Sequence, residues 1–278
     1  MLKQRVITAL IVAAVLLLAI FYFPYVYFSW FIALVVLVAA WEWGKLAGYT
    51  GVGIYFYVVF IGVLVAVTFW WLDIFGTARF FAGDKVIAVC AVAALWWVSV
   101  IYWVATYPEN KIWSRKWIID LIGAIVLLAT CVGLVYLRGE SNGEWLLVIM
   151  IVSVVCADTG AYFVGRKFGK RKLAPMVSPG KSWEGFFGGL ATSVIFALFL
   201  NLSLGFSVEN LWLLVIVVST SLISVYGDLM ESLLKRERGV KDSGKILPGH
   251  GGILDRADSI TAAVPIFTLM YLLSGWRL

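Results

Sequence analysis

Nine times along this chain an apolar run reaches a length of about 20 residues, the length at which a helix crosses a bilayer. The runs lie near residues 6–23, 25–41, 52–72, 86–106, 117–137, 145–164, 186–205, 211–229 and 257–274. Pro24 separates the first two, because a helix tends to stop at or before a proline. Of the 278 residues 63% are hydrophobic and 14% charged, whereas a soluble domain is about half apolar and about a quarter charged. Folded in water, such a chain would leave too much apolar surface uncovered. The sequence therefore predicts an all-α, polytopic integral membrane protein with about nine transmembrane helices. Lys3 and Arg5 ahead of the first run imitate a signal peptide, but IFYFPYVYF offers no small-residue cleavage site, and the run is read as a retained helix.

The distribution of Lys and Arg sets the orientation. With nine spans and a cytoplasmic N-terminus, 18 of them fall on the inside and four (Arg79, Lys85, Arg138 and Arg277) on the outside. This asymmetry obeys the positive-inside rule, and one missed helix would scramble it. The formal charge of +6 is thus topological and gives no reason to invoke nucleic acid. Trp41, Trp43, Trp70, Trp71, Trp113, Trp117 and Trp145 fall at span ends and are read as headgroup anchors. The two halves lack matching helix breaks, which argues against an inverted-repeat transporter. Cys90, Cys131 and Cys156 sit inside apolar runs, and His250 is the single histidine. Thiolate and multi-histidine metal sites are thereby excluded, and any metal must be held mostly by oxygen, which suits a hard cation such as magnesium.

Residues 1–140 read as a lipid-facing scaffold, while 141–278 hold two polar cytoplasmic segments beside membrane-depth acids. The first runs from Asp158 to Gly185. An ionisable group such as Asp158 inside a span usually faces a cavity or a partner. Arg166, Lys167, Lys170, Arg171 and Lys172 suit anionic lipid headgroups. Ser178-Pro179-Gly180-Lys181-Ser182 resembles half a P-loop, but Pro175 stands where that motif needs glycine. What remains is a turn presenting Lys181, Ser178 and Ser182 to an anion at the start of the next helix.

The second segment runs from Gly227 to Ser259. Asp228 and Glu231 stand at the end of the eighth span, and Asp255 and Asp258, three apart, project from one helix face. With Asp158 on the same side, these carboxylates would repel one another unless a cation joins them, and a magnesium site answers that. Between the acids lie Lys235, Arg236, Arg238, Lys241 and Lys245, then Gly249-His250-Gly251-Gly252. Bases, a glycine turn with exposed N–H donors and a metal together make a polyphosphate site.

SLLKRERGVKDSGKILPGHGGILDRAD, Ser232 to Asp258, resembles the signature of the phosphatidate cytidylyltransferases, the CDP-diacylglycerol synthases. The matching positions are Ser232, Lys235-Arg236, Lys241-Asp242, Pro248, His250-Gly251-Gly252 and Asp255-Arg256-Ala257-Asp258; Ala257 replaces a larger residue or threonine. DTGAYFVGRKFGK, SPGKSWEG and the multi-span layout resemble the same family. The resemblance implies that CTP and phosphatidate become CDP-diacylglycerol and pyrophosphate, at catalytic loops on the cytoplasmic face of a bacterial-type inner membrane. It also implies a homodimer and a second cation such as potassium beside magnesium.

The residues suit this chemistry on their own account. A lipid phosphate, with a second pKa of about 6, is already an ionised nucleophile and needs no general base. The expected assignment gives Asp228, Asp255 and Asp258 to the metal, and Asp158 to the metal or the nucleotide. Lys181, Lys235, Arg236, Lys241, Lys245 and Arg256 neutralise phosphates, and His250, Gly251 and Gly252 form the turn against them. Two rivals stand beside this reading: a CTP-dependent polyprenol or phytol kinase, and an ion-coupled transporter.

Overall fold

The structure, a computed structural model, describes residues 2–74, 83–204 and 211–278; Arg79 and the end of the seventh apolar run at Gly205 lie outside them. Nine helices of spanning length and composition occur among the described residues. They are α1 (Leu2–Tyr22), α2 (Tyr25–Leu46), α3 (Val52–Trp71), α4 (Gly83–Thr106), α5 (Lys116–Gly139), α6 (Gly143–Phe168), α7 (Trp183–Ser203), α8 (Trp212–Arg238) and α9 (Leu254–Ser274). A 3₁₀ turn at Ile112–Ser114 precedes α5, and a small antiparallel hairpin, β1 (Lys172–Ala174) and β2 (Ser178–Ser182), separates α6 from α7. The polytopic all-α expectation therefore holds, with the hairpin as its one addition.

The most buried helices, α5, α8 and α9, occupy the centre, and α1, α3 and α4 show most of their length to the surroundings. Small residues set the closest approaches. At Gly189 of α7 a Cβ would stand 2.6 Å from the Ala157 carbonyl oxygen of α6, and at Gly160 of α6 it would collide with Thr192. In hydrocarbon there is no hydrophobic force between helices, so contact of this kind and van der Waals packing hold them together. Gly227 of α8 likewise abuts the Asp258 carbonyl of α9, bringing the two acid-bearing helices into backbone contact.

The basic loops gather at one end of the bundle. There Thr8 donates to the Pro248 carbonyl at 3.0 Å, Arg238 to the Leu46 carbonyl, and Lys111 pairs with Glu237 at 3.0 Å. At the opposite end Arg138 donates to the Ile20 carbonyl at 2.9 Å and pairs with Glu144 at 2.8 Å, while Asn142 holds the Leu278 carbonyl at 2.9 Å. This is the alternation that nine spans require.

The tryptophan reading needs correction at two positions. Trp70, Trp71, Trp117 and Trp145 are exposed as anchors should be, but Trp43 and Trp113 are only 2% and 1% exposed. Trp43 donates its indole N–H to the Ile119 carbonyl at 3.0 Å and Trp113 to the Asn110 carbonyl at 3.1 Å. A tryptophan at a span end can satisfy its N–H inside the protein as well as at the headgroups, and these two do.

Candidate active site

Three helices and the hairpin build the site. Helix α8 runs nine residues past the predicted end of its span, to Arg238, so Lys235 and Arg236 project from a helix instead of a loop. Asp228, Glu231, Ser232 and Lys235 follow at spacings of three and four, along one face. Helix α9 begins at Leu254, which places Asp255 and Asp258 on adjacent turns of its first stretch. Helix α6 continues to Phe168 and carries Asp158, which faces the cavity between these elements. The SPGKS stretch is a strand, not a turn, and Ser182 ends it as the N-cap of α7, accepting from the Gly185 N–H at 3.1 Å. That bond commits the Ser182 hydroxyl, and Ser178 lies at the far end of the strand, opposite Ala174.

These elements enclose a cavity of about 600 Å³, whose walls include Asp158, Lys181, Asp228, Lys235, Asp255, Asp258 and Arg256. Lys181 ion-pairs with Asp228 at 2.5 Å and donates to the Val225 carbonyl at 3.2 Å. Asp158 faces both Lys181 and Asp228. Lys235 bridges Asp255 at 2.8 Å and Glu231 at 3.2 Å, one turn back on its own helix. Asp228 and Asp258 meet side by side, and Glu231 lies against Asp258.

A second cavity of about 550 Å³ adjoins the first, sharing Asp242 and Arg256, and contains Lys241, Lys245, His250, Gly251 and Arg5. Its floor is the glycine turn. Gly249 and Gly251 have φ of 76° and 87°, a left-handed backbone that other residues rarely adopt. The turn closes through the His250 N–H to the Leu247 carbonyl at 2.9 Å, and Arg256 clamps the His250 carbonyl at 3.1 and 3.2 Å.

The predicted residues thus fall into three groups. Asp158, Lys181, Ser182, Asp228, Lys235, Asp255, Asp258 and Arg256 share the first cavity, and Lys241, Lys245, His250 and Gly251 line the second. Ser178, Arg236 and Gly252 line neither. Arg236 donates to the Val177 carbonyl at 3.2 Å and braces the hairpin against α8. Gly252 gives its N–H to Asp255 at 2.8 Å.

The expected three-aspartate metal set is not assembled. Among the described residues, no three carboxylate, histidine or cysteine side chains are gathered as ligands for one ion. Asp255 is the member turned away. Its Oδ2 accepts the Ser243 N–H at 2.9 Å, the Ser243 hydroxyl at 3.0 Å and the Gly252 N–H at 2.8 Å, while Oδ1 takes Lys235. A carboxylate so engaged anchors the loop. Asp228 and Asp258 lie side by side and Asp158 lines the same cavity; their oxygens are of the kind a hard divalent cation takes, but the three are not gathered on one point.

Sequence reasoning missed Glu42 on α2. It is fully buried, and its Oε2 accepts the Leu254 N–H at 2.9 Å and faces the Ser243 hydroxyl at 3.5 Å. The signal was present, because Glu42 is the only acid before Asp73 and sits inside an apolar run. Ser243 and Arg5 were also missed, and nothing in their local sequence distinguishes them.

The cytidylyltransferase family model matches residues 3–274 of the chain. A phosphatidate cytidylyltransferase of Pseudomonas aeruginosa is 42% identical over 99% of this chain and 99% of its own length. One of Haemophilus influenzae is 42% identical over 98% and 99%, and one of Bacillus subtilis 41% identical over 56% of this chain and 60% of its own. Matched from end to end in this way, and carrying its charged groups around a cavity at one end of a nine-helix bundle, the chain belongs to the cytidylyltransferase family of nucleotidyltransferases.

Proposed function

We propose that the protein transfers the cytidylyl group of CTP to phosphatidate, giving CDP-diacylglycerol and pyrophosphate at the cytoplasmic face of a bacterial inner membrane. The observation that carries this is the pairing of cavities: one with opposed carboxylates and lysines, the other lined by basic residues around a glycine turn. The activity named for the full-length relatives supports it.

A phosphate oxygen of the lipid attacks the α-phosphorus of CTP. The bond from that phosphorus to the bridging oxygen breaks, and pyrophosphate leaves with its electrons. The nucleophile arrives ionised, so the chain supplies no base and its work is electrostatic. Lys181, Lys235 and Arg256 bring two anions into one cavity against their repulsion, and Asp228 and Asp255 hold the two lysines in place. Lys241 and Lys245, beside the turn at His250, receive the departing phosphates in the second cavity. Asp228, Asp258 and Asp158 would hold magnesium, which when bound neutralises charge on the transferring and leaving oxygens. Arg166, which also lines the first cavity, belongs to an exposed basic run that lies against anionic headgroups. The working assembly in this proposal is a homodimer, checked by the mass of the purified particle.

Purified protein with CTP, magnesium and phosphatidate should form CDP-diacylglycerol and release pyrophosphate. Phosphorylation of a lipid alcohol with release of CDP would replace this reading with the kinase.

A further inference from the structure

Glu42 comes from the part of the chain that looked like scaffold, yet its carboxylate sits in a cradle made by the catalytic loop. Ser243, Gly244, Gly252 and Leu254 surround it. A Cβ on Gly252 would stand 2.5 Å from both carboxylate oxygens, and one on Gly244 would overlap Oε1. The loop therefore closes only because glycines stand where it passes Glu42. From the same strip, Ser243 and Gly252 give their N–H groups to Asp255 at 2.9 and 2.8 Å. Glu42 and Asp255 thus hold one loop together, with the Ser243 hydroxyl between their carboxylates. The Asp255 carboxylate in turn holds Lys235 at 2.8 Å on the wall of the cavity.

We propose that Glu42 is a positioning residue for the cytidylyl-transfer site: it locks residues 243–254 against the start of α9, and through Asp255 sets Lys235 and Arg256 toward the nucleotide phosphates. The identification of the ligand as a nucleotide rests on the function proposed above, but the locking of the loop does not. Glu42 touches neither cavity. Its effect is transmitted through the Leu254 N–H and the packing of Gly244 and Gly252 on its carboxylate, so reach and acceptor geometry matter more than charge.

The variants that separate these are Glu42→Gln, Glu42→Asp and Glu42→Ala, made in the full chain and purified in detergent. Gln keeps an acceptor oxygen at the same reach, whereas Asp keeps the charge but draws it back by one methylene. Losing the acceptor leaves a buried N–H unsatisfied, so CTP-dependent kcat/KM should fall about tenfold or more in the Ala and Asp variants. Gln should stay within about threefold of the parent on the same argument. The KM for phosphatidate should not move.

A second readout needs no activity. Lys241 and Lys245 are exposed on the loop, and brief trypsin treatment of the folded protein should cut there faster in the Ala and Asp variants, while cutting at Lys170 and Arg171 is unchanged. Asp more active than Gln would assign Glu42 a charge role and overturn the proposal, as would three variants with parental kinetics and parental cleavage. A protein that forms no CDP-diacylglycerol but shows the loop-specific cleavage would refute the proposed function and leave the lock standing. A variant cut equally at all four basic sites is globally loosened, and that outcome refutes a local lock.

Discussion

Lys235 and Asp255 stand 20 residues apart in the chain and 2.8 Å apart in the fold, joining α8 to α9 at the wall of the larger cavity. The same ammonium also holds Glu231 at 3.2 Å, and all three side chains are largely shielded, at 13%, 6% and 5% exposure. Removing the cation from a shielded pair leaves uncompensated charge, which costs about 3–5 kcal/mol. Lys235→Met should therefore lower both stability and turnover. Glu231→Gln should cost less than about 1 kcal/mol, because the amide oxygen still accepts from Lys235 and the amide N–H still meets the Asp258 carboxyl. Denaturant unfolding in detergent, followed by tryptophan fluorescence, separates the two.

Lys181 makes the opposite prediction. Its pair with Asp228 is partly open to the cavity, with side-chain exposures of 24% and 34%, so solvent screening reduces its structural worth. Lys181→Gln should unfold within about 1 kcal/mol of the parent. A cation aimed at the transferring phosphate, however, is worth about a hundredfold in rate. Loss of kcat at that scale with an intact unfolding midpoint is the expected outcome. Parental kcat would remove Lys181 from the phosphate site.

The nine spans and the convergence of Asp158, Asp228 and Asp258 were legible because hydropathy and helical spacing act locally. The direction of Asp255 was not. It depends on the Ser243 and Gly252 N–H groups, which belong to a loop shaped by tertiary contacts, the Leu254 N–H on Glu42 among them. Trp43 and Trp113 were misread for a related reason, since their partners at Ile119 and Asn110 are supplied by tertiary and local turn geometry rather than by depth in the bilayer. The SPGKS strand was read as a turn because Pro and Gly dominate local propensity. Its ladder is set by β1 and by Glu184, whose carboxylate collects the Lys170 and Arg171 N–H groups at 3.0 and 3.2 Å.

Metal dependence should follow the adjacent carboxylates of Asp228 and Asp258. Chelation should abolish turnover and added magnesium restore it, with Asp228→Asn and Asp258→Asn each raising the magnesium concentration needed for half-maximal rate. Asp255→Asn should behave differently: kcat falls because loop and Lys235 are misplaced, while the magnesium midpoint moves less than in either of the other two variants. A magnesium titration of the three variants checks this. The largest midpoint shift in the Asp255 variant would return that residue to the metal.

The contact of α6 with α7 gives a test free of catalysis. Adding a methyl at Gly189 puts a carbon 2.6 Å from the Ala157 carbonyl oxygen, a backbone atom that cannot rotate away. The helices must separate, and overpacking of this kind costs about 1–3 kcal/mol. Gly180, in the hairpin, has nothing within 4 Å of an added Cβ and no positive φ, so Gly180→Ala should leave the unfolding midpoint where it is. Because both substitutions add one methyl in the same stretch of chain, a difference between them reports the interhelical approach and not the side chain itself. Equal midpoints for Gly189→Ala and the parent would mean that α6 and α7 do not pack as closely as described.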